Sequence, residues 1–184
     1  MAELIHYMDP QSRGMRTQML LDYFEIPHRK VEVLLRQGDQ RKPGYEKIHP
    51  HRRVPALQHG DLTLIESGAI TLYLADLFPE QMATPAPATA ERARLYEWLF
   101  FLQTTLEPLA MKGFDPAHKE QARSEIRQLL QAMESRLSGP HVLGQQLTLL
   151  DVILFCELSW YQMMGLYPDG LTYLDQFMAT FPAR

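Results

Sequence analysis

Only one of the 184 residues is a cysteine, Cys156. A single thiol rules out an intramolecular disulfide, a C-x-x-C redox pair and a four-cysteine zinc site. Cys156 itself lies in LLDVILFCELSW, apolar on almost every side, which predicts a buried and inert thiol. Thiol chemistry would therefore need a thiol carried in by a ligand. Long apolar runs are also missing. The longest, around 147–160, is interrupted by Asp151 and Glu157 and is too short to span a bilayer. No apolar run follows a basic start, so no secretory signal is expected and a soluble cytoplasmic protein is the reading. Internal repeats and low-complexity tracts are absent as well. With 46% hydrophobic and 22% charged residues, the composition is that of an ordinary globular chain. Its length suits one domain with a full core or two small ones.

Charge of one sign is scarce overall but concentrated locally. Six Lys/Arg lie between Arg36 and Arg53 against only Asp39 and Glu46, giving this segment +4 on a chain of net −4. His49 and His51 fall in the same patch and can add charge in mild acid. Such a patch can attract a small anion. The patch is short and no recognition module is visible, which makes nucleic acid a less favoured partner.

Along the chain, residues 3–8 (ELIHYM) read as a strand, and Ser12 is a natural N-cap for a helix through MRTQMLLDYF. Residues 30–35 (KVEVLL) alternate as a second strand, far enough on for a helical crossover and a parallel βαβ unit. A basic loop with one helical turn at PGYEKI follows. VPALQ-HGD-LTLI then reads as a hairpin, and Ser67 can cap a helix through GAITLYLADLF. QMATPAPATA is linker-like. Beyond it the patterns are helical: ERARLYEWLFFLQTTLEPLAM, HKEQARSEIRQLLQAMESRL, LLDVILFCELSWYQMM and a shorter LTYLDQFMA. Thr148 and Asp151 form a T-x-x-D capping arrangement opening the third of these, whose apolar girth places it at the centre of a helical domain. The expected boundaries are 1–79 for an α/β domain, 80–89 for the linker and 90–184 for an all-helical domain.

Two local features carry chemistry. Pro55 interrupts a strand-like stretch, so it belongs at an edge or in a bend, and a cis Val54–Pro55 bond would make that bend. The backbone of Val54 is then available to an extended peptide ligand. A few residues on, Glu66-Ser67 stands at a helix N-terminus, where unpaired N–H groups favour a carboxylate. With Ser67 on the carboxylate and Glu66 on an ammonium, the pair suits an amino-acid zwitterion.

VPAL followed after a hairpin by ESGAI, with GDQRKPGYEKIHPHRR upstream, resembles the glutathione-binding segment of the cytosolic glutathione transferases. SRGMRTQMLLDYF resembles their first helix, and LTLLD opening a buried helix resembles their C-terminal domain. The resemblance covers essentially the whole chain. It implies a thioredoxin-like domain (β-α-β-α-β-β-α) followed by an all-α domain, usually in a homodimer. It implies a cis Pro55, with Val54 pairing the cysteinyl part of glutathione and Glu66 and Ser67 holding the γ-glutamyl end. Arg53, Gln40 and Arg13 would lie toward the glycyl carboxylate.

The catalytic task would be to keep the ligand's sulfur as thiolate, since a free thiol has a pKa of ~8.5. Ser12 is favoured as the hydroxyl donor, with Tyr7 as the second candidate. No metal is expected. The second substrate would be a small hydrophobic electrophile, with Trp98, Phe101 and Phe114 as candidate lining. This chain departs from the family at His49, where asparagine is usual, at Arg53, where lysine is common, and at Leu150, where alanine is common. Ending at TFPAR, it lacks the additional helix that closes the site in some members, which suggests an open pocket. The implied reaction is conjugation of glutathione to an apolar electrophile. Its rivals are a glutathione-dependent disulfide reductase or peroxidase, and a non-catalytic interaction module like the stringent-starvation proteins.

Overall fold

Burial alternates along Leu4–Met8, with Leu4, His6 and Met8 buried, and this stretch forms β1. In the computed structural model, which describes residues 2–181, the chain divides into two compact units, Met1–Met82 and Ala83–Arg184. The first is a four-stranded sheet of order β2-β1-β3-β4, where β2 is Arg29–Glu32, β3 Ala56–His59 and β4 Leu62–Ile65. β2 runs parallel to β1, and the crossover between them contains helix α1, Gly14–Tyr23. β3 is antiparallel to both β1 and β4, and Gly60, at φ +60°, turns the β3–β4 hairpin. Helix α2, Ser67–Leu77, follows and packs with α1 and with β3 and β4.

Side-chain alternation assigns the two faces of the sheet. His6 meets Gln18 of α1, so the helices cover its face, and Tyr7 points to the other face, where Tyr45 lies 6.4 Å from it in an edge-to-face contact. Between β2 and β3, where the resemblance implies a helix, the described residues form three single 3₁₀ turns, at Leu35–Gln37, Asp39–Arg41 and Tyr45–Lys47, the last of them the helical turn read from PGYEKI. Gly38 and Gly44 take left-handed backbone, at φ +79° and +94°, and Pro43 lies between them. A helix cannot run through those positions.

In the second unit, α3 (Ala90–Phe100) is capped by Thr89, whose hydroxyl accepts the Arg92 N–H at 3.1 Å. The sequence pattern then predicts one helix to residue 111, but Phe101–Leu106 is a π-turn leading into α4, Glu107–Lys112. Pro108 explains it, because in a regular α-helix its ring would collide with the carbonyl of Thr104. α5 (Lys119–Glu134), α6 (Leu149–Met164) and α7 (Thr172–Thr180) complete the unit. α6 buries Leu149, Leu150, Val152, Ile153, Leu154 and Leu158 completely, as its apolar girth predicts. Cys156 departs from expectation: it is half-buried rather than enclosed. The final residues of TFPAR lie outside the described residues. No helix among the described residues is long and apolar enough to cross a membrane.

Candidate functional site

Register brings the sequence candidates together at one end of the sheet. Tyr7 pairs with Ala56, and Ala56 with Ile65, so these three form a row across β1, β3 and β4. With strands ~4.8 Å apart the row spans ~10 Å, about the reach of an extended tripeptide. Just beyond it lie the 9–12 loop leading to Ser12, then Val54-Pro55, then Glu66-Ser67.

The Val54–Pro55 bond is cis, as the sequence suggested. The β-ladder starts only at Ala56, and neither backbone group of Val54 has a backbone partner among the described residues. An extended ligand can therefore pair there. The path into Val54 is held from behind, where Tyr45 donates its hydroxyl to the Arg53 carbonyl at 2.7 Å. Burial first, and the nearby Tyr7 second, push the Tyr45 phenol up to about 12, so it stays a donor at any ordinary pH. Sequence reading passed over Tyr45. The only signal for it was an aromatic residue inside the basic loop.

At the start of α2, Glu66 occupies the cap position rather than Ser67, and its backbone is left-handed at φ +71°. A glutamate pays strain in that region, and such strain concentrates at binding sites. The first helical bond is the Ile70 N–H to the Glu66 carbonyl at 2.9 Å. Ser67, Gly68 and Ala69 therefore present N–H groups with no backbone partner among the described residues. Ser67 is the first helical residue, and the Glu66 side chain at the cap makes no capping hydrogen bond. Glu66 is exposed beside it.

Arg13, not Ser12 as the sequence suggested, occupies the cap position of α1, although Ser12 still meets the first helical N–H. The Ser12 hydroxyl donates to the Asp9 carbonyl at 2.8 Å and accepts the Gly14 N–H at 3.0 Å. The Asp9 carbonyl receives the Ser12 N–H as well, at 3.1 Å, so the hydroxyl proton can turn to another acceptor without orphaning that oxygen. Gly14 permits the close packing of α1 on β1, since a Cβ there would sit 2.8 Å from Met8 Cβ. Asp9, buried and unnoticed in the sequence, organises the loop. Its carboxylate accepts the Gln11 and Leu35 N–H groups, each at 2.7 Å, joining the 9–12 loop to the first 3₁₀ turn.

The remaining candidates fall as follows. Tyr7 donates its phenol to Gln58 at 3.1 Å, on the sheet face away from α1. Gln40 donates to the Leu35 carbonyl at 3.3 Å, and its side-chain oxygen is enclosed without a partner among the described residues. Arg53 and Arg13 are exposed. In the helical unit Trp98 is buried, with Arg136 4.7 Å above its ring and Phe101 edge-on at 5.6 Å. Phe114 alone of that trio is exposed, 5.6 Å from the Trp160 ring and in the same turn as exposed Met111. A groove of about 540 Å³ lies within this unit, lined by Leu109, Met111, Lys112, Asp115, His118 and Glu125 among others, and Trp98, Phe101 and Phe114 are not in its lining. No cluster able to hold a metal ion occurs among the described residues.

A thioredoxin-like sheet that presents a cis-proline and a strained helix start at one end, followed by an all-helical unit, defines a class of glutathione-site folds. The glutathione S-transferase N-terminal domain family matches residues 3–76, and its C-terminal domain family matches 116–182. The chain is 31% identical over 160 residues to glutathione S-transferase GstA of Escherichia coli O157:H7, covering 82% of this chain and 76% of that protein. It is 28% identical over 166 residues to the disulfide-bond oxidoreductase YfcG of Escherichia coli K12, covering 79% and 74%. Among solved structures, a glutathione transferase homologue from Sulfitobacter with bound glutathione superposes with a TM-score of 0.82 at 25% identity, over 100% of this chain and 94% of that one. This chain belongs to the cytosolic glutathione S-transferase superfamily.

Proposed function

We propose that the protein binds glutathione at the end of the sheet and conjugates it, as a thiolate, to a small apolar electrophile. The observation that carries this reading is the row that aligns the unpaired backbone of Val54 with the free N–H groups of α2. Val54 pairs the cysteinyl residue in extended form. Ser67 and the helix start take the α-carboxylate of the γ-glutamyl group, and Glu66 takes its ammonium. Arg53, Gln40 and Arg13 supply polar groups for the glycyl carboxylate. Ser12 turns its hydroxyl from Asp9 toward the sulfur and favours the anion, the nucleophilic form. Tyr7, already spent on Gln58, is the weaker candidate. The protein is proposed to act in the cytoplasm as a homodimer, without metal, nucleic acid or membrane.

Retention on immobilised glutathione and turnover of a small aryl halide test the reading. Ser12→Ala is expected to lower kcat by roughly 10²-fold while glutathione affinity changes little, and Tyr7→Phe to change kcat by less than about threefold. No binding at millimolar glutathione would sink the assignment. Turnover of a small disulfide but not of the halide would replace conjugation with reduction, the activity in the name of the YfcG relative.

A further inference from the structure

The turn that delivers Arg53-Val54-Pro55 is built around one imidazole. His49 is 3% exposed, and its Nδ1 accepts the His51 N–H at 3.3 Å. Its own N–H donates to the Tyr45 carbonyl at 2.9 Å, and its carbonyl accepts the Arg52 N–H at 2.8 Å. Arg52 takes left-handed backbone at φ +51°, and the next carbonyl, that of Arg53, accepts the Tyr45 hydroxyl. These contacts define the path from residue 49 to residue 53, and the His49 side chain is the only ring in it that accepts.

A side-chain acceptor on the N–H two residues ahead is the Asx-turn device, ordinarily made by Asn or Asp. An imidazole makes it only when neutral, with its proton on Nε2. Once protonated, both ring nitrogens carry N–H, so neither ring orientation can accept from His51. Two donors would then face each other inside the turn.

We propose that His49 is a positioning residue whose neutral ring holds the Arg53-Val54-Pro55 turn, so that glutathione binding weakens as the medium becomes mildly acidic. This rests on the glutathione reading given above. The surroundings agree with a ring that is neutral at pH 7. Burial disfavours its charge most, followed by the His51 ring, 6.0 Å away; Glu66 on α2 favours it, Arg53 disfavours it and a hydrogen bond with its own backbone favours it, with a net shift below the ordinary histidine value. The charged partner Glu66 is itself assigned to the ligand's ammonium, so a positive His49 would also compete for it.

The test uses S-methylglutathione, whose sulfur cannot ionise, so that thiol titration drops out. The ligand's carboxylates stay ionised between pH 5 and 7.5, and its ammonium loses protons only toward the upper end of that range, opposite to the trend tested. Calorimetric affinities are compared for wild type, His49→Asn and His49→Ala. Wild type is expected to lose affinity progressively as pH falls from 7.5 to 5, by up to about tenfold, the ceiling set by one lost turn hydrogen bond. His49→Asn restores an acceptor that does not titrate, so it should stay within about twofold of wild type at pH 7.5 and show a flat profile. His49→Ala should be weak and flat throughout, and if it does not fold the Asn comparison decides alone. Parallel pH profiles in wild type and His49→Asn overturn the proposal. Failure of wild type to bind the probe or glutathione at pH 7.5 instead overturns the assignment of the site.

Discussion

Replacing Asp151 with alanine is expected to lower stability by about 3–5 kcal/mol, the cost of orphaning two buried N–H groups and losing a helix cap. Asp151 has no exposed surface. One carboxylate oxygen accepts the Thr148 N–H at 2.8 Å and the Thr148 hydroxyl at 3.1 Å. The other accepts the Val142 N–H at 2.9 Å and lies 3.3 Å from His141 Nδ1. Thr148 returns the favour by accepting the Leu150 N–H at 3.3 Å. The residue thus caps the most buried helix of the molecule and also fastens the 141–142 segment to it. Burial pushes its pKa up against the pull of those N–H groups, so this carboxylate is worth keeping only because every contact is made. Asp151→Asn keeps one acceptor oxygen in place and should lose less than alanine. Urea melts check the order, and a loss below about 1 kcal/mol for alanine would contradict it.

A second large effect is expected on acidification. His6 is fully enclosed between β1 and α1, with Nδ1 bonded to Gln18 at 3.0 Å. Gln18 in turn donates to Asp22 at 2.8 Å and meets His28 at 2.9 Å. Burial is the main reason that the His6 pKa falls to about 4, outweighing the Gln18 bond that would raise it. Above pH 6.5 the ring is neutral whether the chain is folded or not, and the fold has its full stability. Between pH 6.5 and about 4 only the unfolded chain takes the proton, so stability drops with falling pH by up to roughly 3 kcal/mol. Below that window the folded state protonates too and the loss levels off. Between pH 7.5 and 4 the unfolding free energy of wild type should fall relative to that of His6→Leu by up to roughly 3 kcal/mol, whatever their difference at pH 7.5. A constant gap between the two would show that His6 is not the group responsible.

The sequence was most informative where spacing and special residues coincide. Pro55, the hairpin turn at Gly60 and the T-x-x-D cap of α6 each have a local cause that a single stretch of chain displays. Glu66-Ser67 was legible as a helix start, but the strained glutamate at the cap was not, because φ is set by how β4 hands over to α2. Asp9 and Tyr45 escaped notice since their partners, Leu35 and Arg53, lie 26 and 8 residues away and look unremarkable. His49 was visible only as an oddity beside Pro50. Its lone pair acquires a role once the turn around it is seen. Between β2 and β3 the residues themselves read as a loop with one helical turn at PGYEKI, and a single turn stands there at Tyr45–Lys47. The full helix came only from the family resemblance, and the left-handed Gly38 and Gly44 and the intervening Pro43 break it into short turns.

The π-turn at Phe101–Leu106 bears on how chains of this kind are compared. A π-turn advances each residue by less than the 100° of an α-helix, so six such residues set α3 and α4 out of phase by about one position. Helical wheels drawn straight across 90–112 would put the wrong residues on a common stripe. A relative with an unbroken α-helix here should be one residue shorter between Phe101 and Leu106, and an alignment gap belongs there rather than in the following loop.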